Sequence, residues 1–413
     1  MKTSFPKDKI EIVLLESIHP DGAADLEATG YSVRSHKGAL EGEALLEEIR
    51  RAHVVGIRSK TTLTGDVLRA CERLLAVGCF CAGTNQVDLD TAAAMGVPVF
   101  NSPFSNTRSV AELTIAEIVC LHRRVTERSA AAHKGLWDKS ATGSHEVRGR
   151  TLGIVGYGHI GSQVSVLAES MGMRVIYFDV ASKLPLGNAR QVGSLGELLA
   201  EADVVTIHVP ETGTTKGLIG ASQLGQMKPG SYLINNARGT VVDLDALADA
   251  VRSGHIAGAA LDVFPEEPAK NGDLFVSPVQ GLGNVILTPH IGGSTAEAQR
   301  SIALDVAHKL GRFIDTGSTV GSVNAPEVDL PEQPVTDDGP RAHRILNFHR
   351  NVPGVLGQIH KAAAELGVNI SGQYLRTRGE VGYVVIDIDP ADTQAFVERF
   401  NAIPETIRTR VLW

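Results

Sequence analysis

Three short segments in the second half of the chain carry residue types that can do chemistry together. They are "LINNARGTVVD", "ALDVFPEEP" and "LTPHIGGST", and they supply Arg238, Glu267 and His290. The planar fork of an arginine can hold a carboxylate and a neighbouring carbonyl oxygen. A histidine can exchange a proton near neutral pH. A glutamate bonded to the other imidazole nitrogen fixes its tautomer and favours its protonated form. Taken singly, each residue also reads as a surface charge, an acidic turn or a packed histidine. Taken together, in this order, they read as one constellation. Each segment follows an apolar run that predicts a strand, and open α/β sheets gather ligand groups at the carboxyl ends of their strands.

The element that would bring a reactant to these groups lies upstream. "TLGIVGYGHIGSQ" begins at Thr151 and reads as strand, glycine-rich turn and helix. Gly156, Gly158 and Gly161 form GxGxxG, the spacing that allows a tight turn, close pyrophosphate approach and helix–strand packing. The following helix N-terminus favours phosphate charge. "RVIYFD" ends in Asp179, 18 residues after Gly161. A carboxylate there accepts hydrogen bonds from the ribose hydroxyls and repels a 2′-phosphate, which predicts NAD rather than NADP.

The fingerprint starts late because a domain is already under way. Between residues 10 and 100, "IEIVLLES", "AHVVGIRS", "LLAVGC" and "VPVF" read as buried strands, and "GEALLEEIRR", "TGDVLRACE" and "DLDTAAAMG" read as helices. Such alternation implies a parallel sheet with helices on both faces. Six further strands over about 150–290 predict a second parallel sheet. One long helix over "RSVAELTIAEIVCLHRRVTER" and another over "STAEAQRSIALDVAHKLGRFIDT" would carry the chain into and out of an inserted domain. The expected boundaries are 1–107 with 297–330 for the first domain and 108–296 for the nucleotide domain, with ligands in a cleft between the two sheets. A Pro- and Asp-rich linker is expected at 331–340. The tail, 341–413, reads strand, helix, strand, strand, helix, strand, the order of a ferredoxin-like unit.

"IRSK" closes a strand of the first domain with Arg58, Ser59 and Lys60, two cations and a hydroxyl that suit a phosphate. Asn106 and Arg108 are nearby candidates for the same substrate. The net charge of −8 speaks against a nucleic-acid partner. No run of 18 apolar residues exists, which speaks against a membrane partner. Cys71, Cys79, Cys81 and Cys120 match neither a zinc pattern nor CxxC, so reduced thiols and no metal are expected. The first residues lack the apolar stretch of a signal peptide, which predicts a cytoplasmic protein.

These stretches, with "GIRSKTTLT", "GTNQVDLD", "VPVFNSPFSNTRSVAEL" and "GYVVIDID", resemble the D-isomer-specific 2-hydroxyacid dehydrogenase family from about residue 10 to the end. The resemblance implies a flavodoxin-like substrate domain, an inserted Rossmann domain and a C-terminal ferredoxin-like ACT domain. It implies catalysis by Arg238, Glu267 and His290. To the three glycines and Asp179 it adds NAD contacts at His159, Ile160, Asn236, Ala237, Arg238, Asp262, His290, Gly292 and Gly293. Lys139 resembles a further basic residue near the substrate.

Members with such a tail oxidise D-3-phosphoglycerate to 3-phosphohydroxypyruvate, the first step of the phosphorylated route to L-serine. Some also reduce 2-oxoglutarate to 2-hydroxyglutarate. L-Serine inhibits by binding between two tails, and His349, Asn351 and Asn369 match its contacts. A homotetramer joined through nucleotide domains and tails is implied. Two alternatives stand beside this: a dehydrogenase of glycerate or hydroxypyruvate, and a non-catalytic NAD-sensing protein on the same fold.

Overall fold

The computed structural model describes residues 6–268, 272–331, 343–389 and 393–412. It divides into two compact units, Met1–Ser105 with Gln299–Trp413, and Asn106–Ala298.

The first unit opens with strands β1 (Glu11–Leu14), β2 (Ser32–Ser35), β3 (Val54–Ile57), β4 (Ala76–Cys79) and β5 (Val99–Asn101). They form a parallel sheet in the order β2-β1-β3-β4-β5, which is the flavodoxin-like order. Every residue of β3 and β4 is buried, as a parallel strand covered on both faces requires. Side-chain alternation divides β1 between two cores. Ile12 and Leu14 join one, and Val13 and its neighbour Leu15 join the other. Helix Ala296–Thr316 turns Ile302, Val306, Leu310 and Phe313 into the first of these cores. β2 was not expected: "SVRS" has no apolar run, because it is an edge strand with little to bury.

The second unit holds β6 (Thr151–Val155), β7 (Arg174–Phe178), β8 (Arg190–Gln191), β9 (Val204–Ile207), β10 (Ser231–Asn235), β11 (Ile256–Leu261) and β12 (Val285–Leu287). All pair in parallel, in the order β12-β11-β10-β9-β6-β7-β8. The order reverses between β6 and β9, the topological switch point at which Rossmann sheets bind dinucleotides. Six of these strands were legible as apolar runs; β8 is a two-residue exposed edge. The single helix expected over 108–128 is two, Thr107–Arg123 and Val125–His133. Arg124 between them sits in the left-handed region at φ 52° and holds Glu127 through Nε at 2.6 Å.

The tail returns to the first unit as an antiparallel sheet of β13 (His343–Arg350), β14 (Ile370–Arg378), β15 (Val381–Ile388) and β16 (Thr406–Val411), in the order β14-β15-β13-β16. Ile345, Val384 and Ile386 face helices Val355–Glu365 and Thr393–Asn401. The alternate residues Leu346, Phe348, Tyr383 and Val385 share a core with Phe100, Leu310 and Phe313. A fully buried ion pair reinforces that packing. Arg344 grips Asp387 through two bonds of 2.7 Å and gives its other N–H groups to the carbonyls of Thr316, Leu330 and Pro331. Apart from Pro331, the linker expected at 331–340 lies outside the described residues. Among the described residues, no helix is long and apolar enough to cross a membrane, and no group of His, Cys, Asp and Glu is placed to hold a metal ion.

Candidate active site

The glycine turn follows β6. Gly156 takes φ 93°, and a Cβ there would stand 2.6 Å from the carbonyl oxygen of His208, which follows β9. A Cβ on Gly161 would stand 2.2 Å from the Gly156 carbonyl, so this glycine lets helix His159–Ser170 seat against the turn. Gly158, by contrast, faces open space. Two glycines therefore shape the turn, and the third leaves a clear approach to the helix N-terminus, where a pyrophosphate meets backbone N–H groups. Asp179, just past β7, accepts the Tyr157 N–H at 2.8 Å on one oxygen and the Ala181 N–H at 2.9 Å on the other. Its carboxylate is thereby fixed beside the turn, with lone pairs left for ribose hydroxyls. These residues fit a dinucleotide.

Arg238 leaves the end of β10 through a braced loop. The buried Asn235 side chain accepts the Ala237 N–H at 3.1 Å and donates to the Arg238 carbonyl at 3.0 Å. A Cβ on Gly239 would fall 1.9 Å from the Phe264 carbonyl carbon, so only glycine lets this loop lie against the backbone that leads to Glu267. Arg238 Nη1 donates to the Ala237 carbonyl at 2.7 Å. Asn236 turns the other way. Its Nδ2 donates to Thr114 at 3.0 Å and to Glu117 at 2.7 Å, both on helix Thr107–Arg123.

Glu267 and His290 meet directly. The carboxylate can only accept, so His290 donates from Nδ1 to Glu267 Oε2 at 2.8 Å, which leaves Nε2 as the proton acceptor. The Phe264 N–H holds the other carboxylate oxygen at 3.1 Å. The hydrogen bond to Glu267 raises the His290 pKa above that of an ordinary imidazole, with burial acting against it. Burial pushes the Glu267 carboxyl up, but the bond and charge of His290 outweigh this and hold it below its usual range. Such a pair is set to hold and release one proton.

The loop bearing His290 is anchored by Asp262, the residue after β11. Asp262 accepts Thr288 Oγ1 at 2.6 Å, the Ile291 N–H at 2.8 Å and the Gly292 N–H at 2.7 Å, and its own carbonyl accepts the His290 N–H at 2.8 Å. His290 sits at φ 53°, in the left-handed region that few non-glycine residues adopt, and the bonds to Asp262 hold it there. Asp262 therefore keeps at most about one lone-pair site for any ligand. Gly293 lies close to Asn106, whose amide nitrogen would stand 2.8 Å from a Cβ there. His159 and Ile160 start the helix after the turn.

Arg58, Ser59 and Lys60 follow β3 in the first unit, with Arg58 half-buried and the other two exposed. Arg108 pairs with Glu112 on its own helix at 2.6 Å, and Lys139 stands exposed in a loop. In the tail, His349 is buried, with Nδ1 3.1 Å from Asn347 Oδ1. Asn351 donates to the Gly379 carbonyl at 2.9 Å. Asn369 precedes β14 and donates to Asp389 at 3.3 Å. The strand register separates them. His349 pairs with Gly382, which lies beside Thr377, whereas Asn369 adjoins the Ile370–Ile388–His343 row at the far end. At a rise of about 3.3 Å per residue that is roughly 20 Å, so one chain does not bring the three together.

Sequence reasoning passed over Glu117. It sits on the buried stripe of its helix with Val110, Thr114, Ile118 and Leu121, and a charged residue in that stripe was a readable signal. Burial pushes its pKa up to about 8, which favours the protonated form near neutral pH.

A Rossmann sheet whose strand ends gather an arginine and a glutamate–histidine pair defines a dinucleotide-dependent oxidoreductase. Residues 115–292 match the model for the D-isomer specific 2-hydroxyacid dehydrogenase NAD-binding domain, and residues 345–408 match an AHAS small subunit-like ACT domain. The chain belongs to the D-isomer-specific 2-hydroxyacid dehydrogenase family and carries its NAD-binding domain. It is 55% identical to the D-3-phosphoglycerate dehydrogenase of Escherichia coli K12, over 100% of both chains. It is 48% identical to D-3-phosphoglycerate dehydrogenase 1 of Saccharomyces cerevisiae, covering 99% of this chain and 89% of that one. Among solved structures it resembles the TT0316 protein of Thermus thermophilus, with TM-score 0.69 and 33% identity, over 76% of this chain and 99% of that one. It also resembles a D-lactate dehydrogenase of Aquifex aeolicus complexed with NAD and lactic acid, with TM-score 0.66 and 28% identity, over 76% of this chain and 100% of that one.

Proposed function

We propose that this chain oxidises D-3-phosphoglycerate to 3-phosphohydroxypyruvate with NAD, at the head of the phosphorylated route to L-serine. The observation that carries the reading is 55% identity along the whole chain, tail included, to a relative named for that activity. NAD, when bound, supplies the acceptor for the hydride that leaves C2. His290 Nε2 takes the proton of the C2 hydroxyl, so the substrate loses one hydride and one proton. Glu267 keeps the imidazole in the tautomer that makes Nε2 basic and favours the imidazolium that forms. Arg238 holds the substrate carboxylate and the developing carbonyl oxygen. Gly156, Gly158, Gly161 and Asp179 hold the dinucleotide, and Arg58 and Lys60 receive the substrate phosphate. Asn106, Arg108 and Lys139 are retained as further substrate candidates.

The tail supports a regulatory reading. His349 and Asn351 stand at one end of its sheet and Asn369 at the other. An L-serine bridging all three therefore needs two copies of the chain, which favours a homo-oligomer, a tetramer if nucleotide domains pair as well. NADH formation from D-3-phosphoglycerate, D-glycerate and 2-hydroxyglutarate, each with and without L-serine, tests the proposal. Selective turnover of D-3-phosphoglycerate is expected. Equal or greater turnover of D-glycerate would overturn it.

A further inference from the structure

The loop Arg58–Thr61 after β3 is gripped from both sides by residues with no assigned part in the reaction. On one side stands Glu16, which follows β1, the strand paired with β3. Its Oε1 accepts the N–H groups of Arg58 at 3.1 Å and Thr61 at 2.8 Å, and its Oε2 accepts the Lys60 N–H at 3.0 Å. On the other side stands Gln86, beyond β4, whose amide donates to the Arg58 carbonyl. Segments that follow three adjacent strands thus hold one short loop beside the carboxyl edge of the sheet, where α/β folds bind ligands.

The backbone at Glu16 is itself unusual. Glu16 has φ 65° and Ser17 has φ 51°, two successive non-glycine residues in the left-handed region. Strain of this kind persists only where surrounding contacts enforce it, and it gathers at functional sites. Here the contacts are visible. The Glu16 N–H donates to the Gly38 carbonyl, the Ser17 N–H to the His36 carbonyl, and Ser17 Oγ to the Lys37 carbonyl. The strained turn aims a buried carboxylate at the amides of the Arg58–Thr61 loop.

A carboxylate beside a phosphate-binding loop looks wrong until its bonds are counted. Its oxygens are taken by backbone amides. Those amides would otherwise form an anion-binding nest of their own. With that nest filled, an incoming phosphate meets the Arg58 and Lys60 side chains. We infer that Glu16 is a positioning residue for substrate selection: by occupying the loop amides it sets the Arg58 and Lys60 cations for a phosphorylated substrate. The inference rests on the reading of Arg58 and Lys60 as the phosphate cations.

Glu16→Gln keeps the shape but turns an NH2 toward the Lys60 N–H, two donors facing each other. Loss of one charge-assisted bond and misplacement of the loop should raise KM for D-3-phosphoglycerate by about tenfold. kcat for D-3-phosphoglycerate, and kcat and KM for D-glycerate, which carries a neutral hydroxyl in place of the phosphate, should stay within about twofold. A residue that merely supported the fold would shift both substrates alike. In an Arg58→Ala, Lys60→Ala background Glu16→Gln should have no further effect on KM, because its action runs through those side chains. Equal KM changes for the two substrates, or undiminished effects in the double background, would overturn the inference. If Glu16→Gln does not fold, Gln86→Ala carries the same test from the other side of the loop. If the Arg58→Ala, Lys60→Ala control leaves KM for D-3-phosphoglycerate unchanged, the phosphate reading falls and the inference with it. A large control effect with no effect of either Glu16→Gln or Gln86→Ala removes the inference alone.

Discussion

Replacing Glu267 by Gln tests the proton chemistry most sharply. Two consequences follow from the 2.8 Å bond to His290 Nδ1. The first concerns the tautomer. If the oxygen of the substituted amide keeps the Phe264 N–H, its NH2 faces Nδ1. The ring proton then moves to Nε2, where it blocks proton acceptance. In a serine protease the matching change drops turnover about 10⁴-fold. The second concerns the charge. A hydrogen bond to a charged group contributes about 1.5–3 kcal/mol, tenfold or more. Here the His290 and Glu267 side chains are 53% and 36% exposed, so solvent screening argues for the lower end. A fall in kcat of roughly 10–100-fold is therefore expected.

The pH profile carries the sign. Glu267 raises the His290 pKa, and oxidation needs the unprotonated ring. Oxidation by the parent enzyme should fall on the acid side of an apparent pKa above that of ordinary imidazole. In Glu267→Gln that limb should move to lower pH, and the alkaline limb of the reverse reduction should move the same way. The assay is NADH absorbance across a pH series in both directions. An unmoved acid limb, or a kcat within a factor of two of the parent, would refute the pairing as the source of the base.

Asp179→Ala should weaken NAD binding and relax its preference over NADP, because the fixed carboxylate that repels a 2′-phosphate is gone; titration with both dinucleotides reads this, and unchanged affinities would assign the ribose to another residue. Glu117→Gln should stabilise the protein at pH 7. A carboxyl with folded pKa near 8 keeps a proton that the unfolded chain loses near 4.5, so its contribution falls as pH rises between those values. The gain in Tm should vanish at pH 4 and grow toward pH 8; a pH-independent difference would contradict it. Asn351→Ala should abolish inhibition by L-serine and leave turnover intact, since Asn351 lies in the tail. Competition between serine and D-3-phosphoglycerate in the parent enzyme would place the effector elsewhere. Deleting 341–413 would not be an equivalent test, because Leu346, Phe348 and Tyr383 complete the core beneath helix Ala296–Thr316.

Much of this molecule was legible without coordinates. Buried parallel strands must be apolar throughout, so β3, β4, β6, β9 and β10 announce themselves, and GxGxxG followed by an acid announces what lies between two of them. The tail reads in order because its two-sided strands and one-sided helices have different periods. Arg238, Glu267 and His290 stand out in the sequence because each comes after an apolar run, although Glu267 lies in the loop beyond β11 and not at its end. What sequence alone does not carry is anything that depends on which strands become neighbours. Nothing local marks β2 or β8, which bury little, or the break at Arg124. The 2.8 Å contact between Glu267 and His290 exists because β11 lies beside β12. Asp262 holds the histidine loop for the same reason. Glu16 looks like an ordinary charge after a strand until β1 pairs with β3 and brings three amides to its carboxylate. Side-chain type and periodicity are local and survive in the linear chain; hydrogen-bond partners across strand ends come from contacts between residues tens of positions apart, and only the folded order of the sheet selects them.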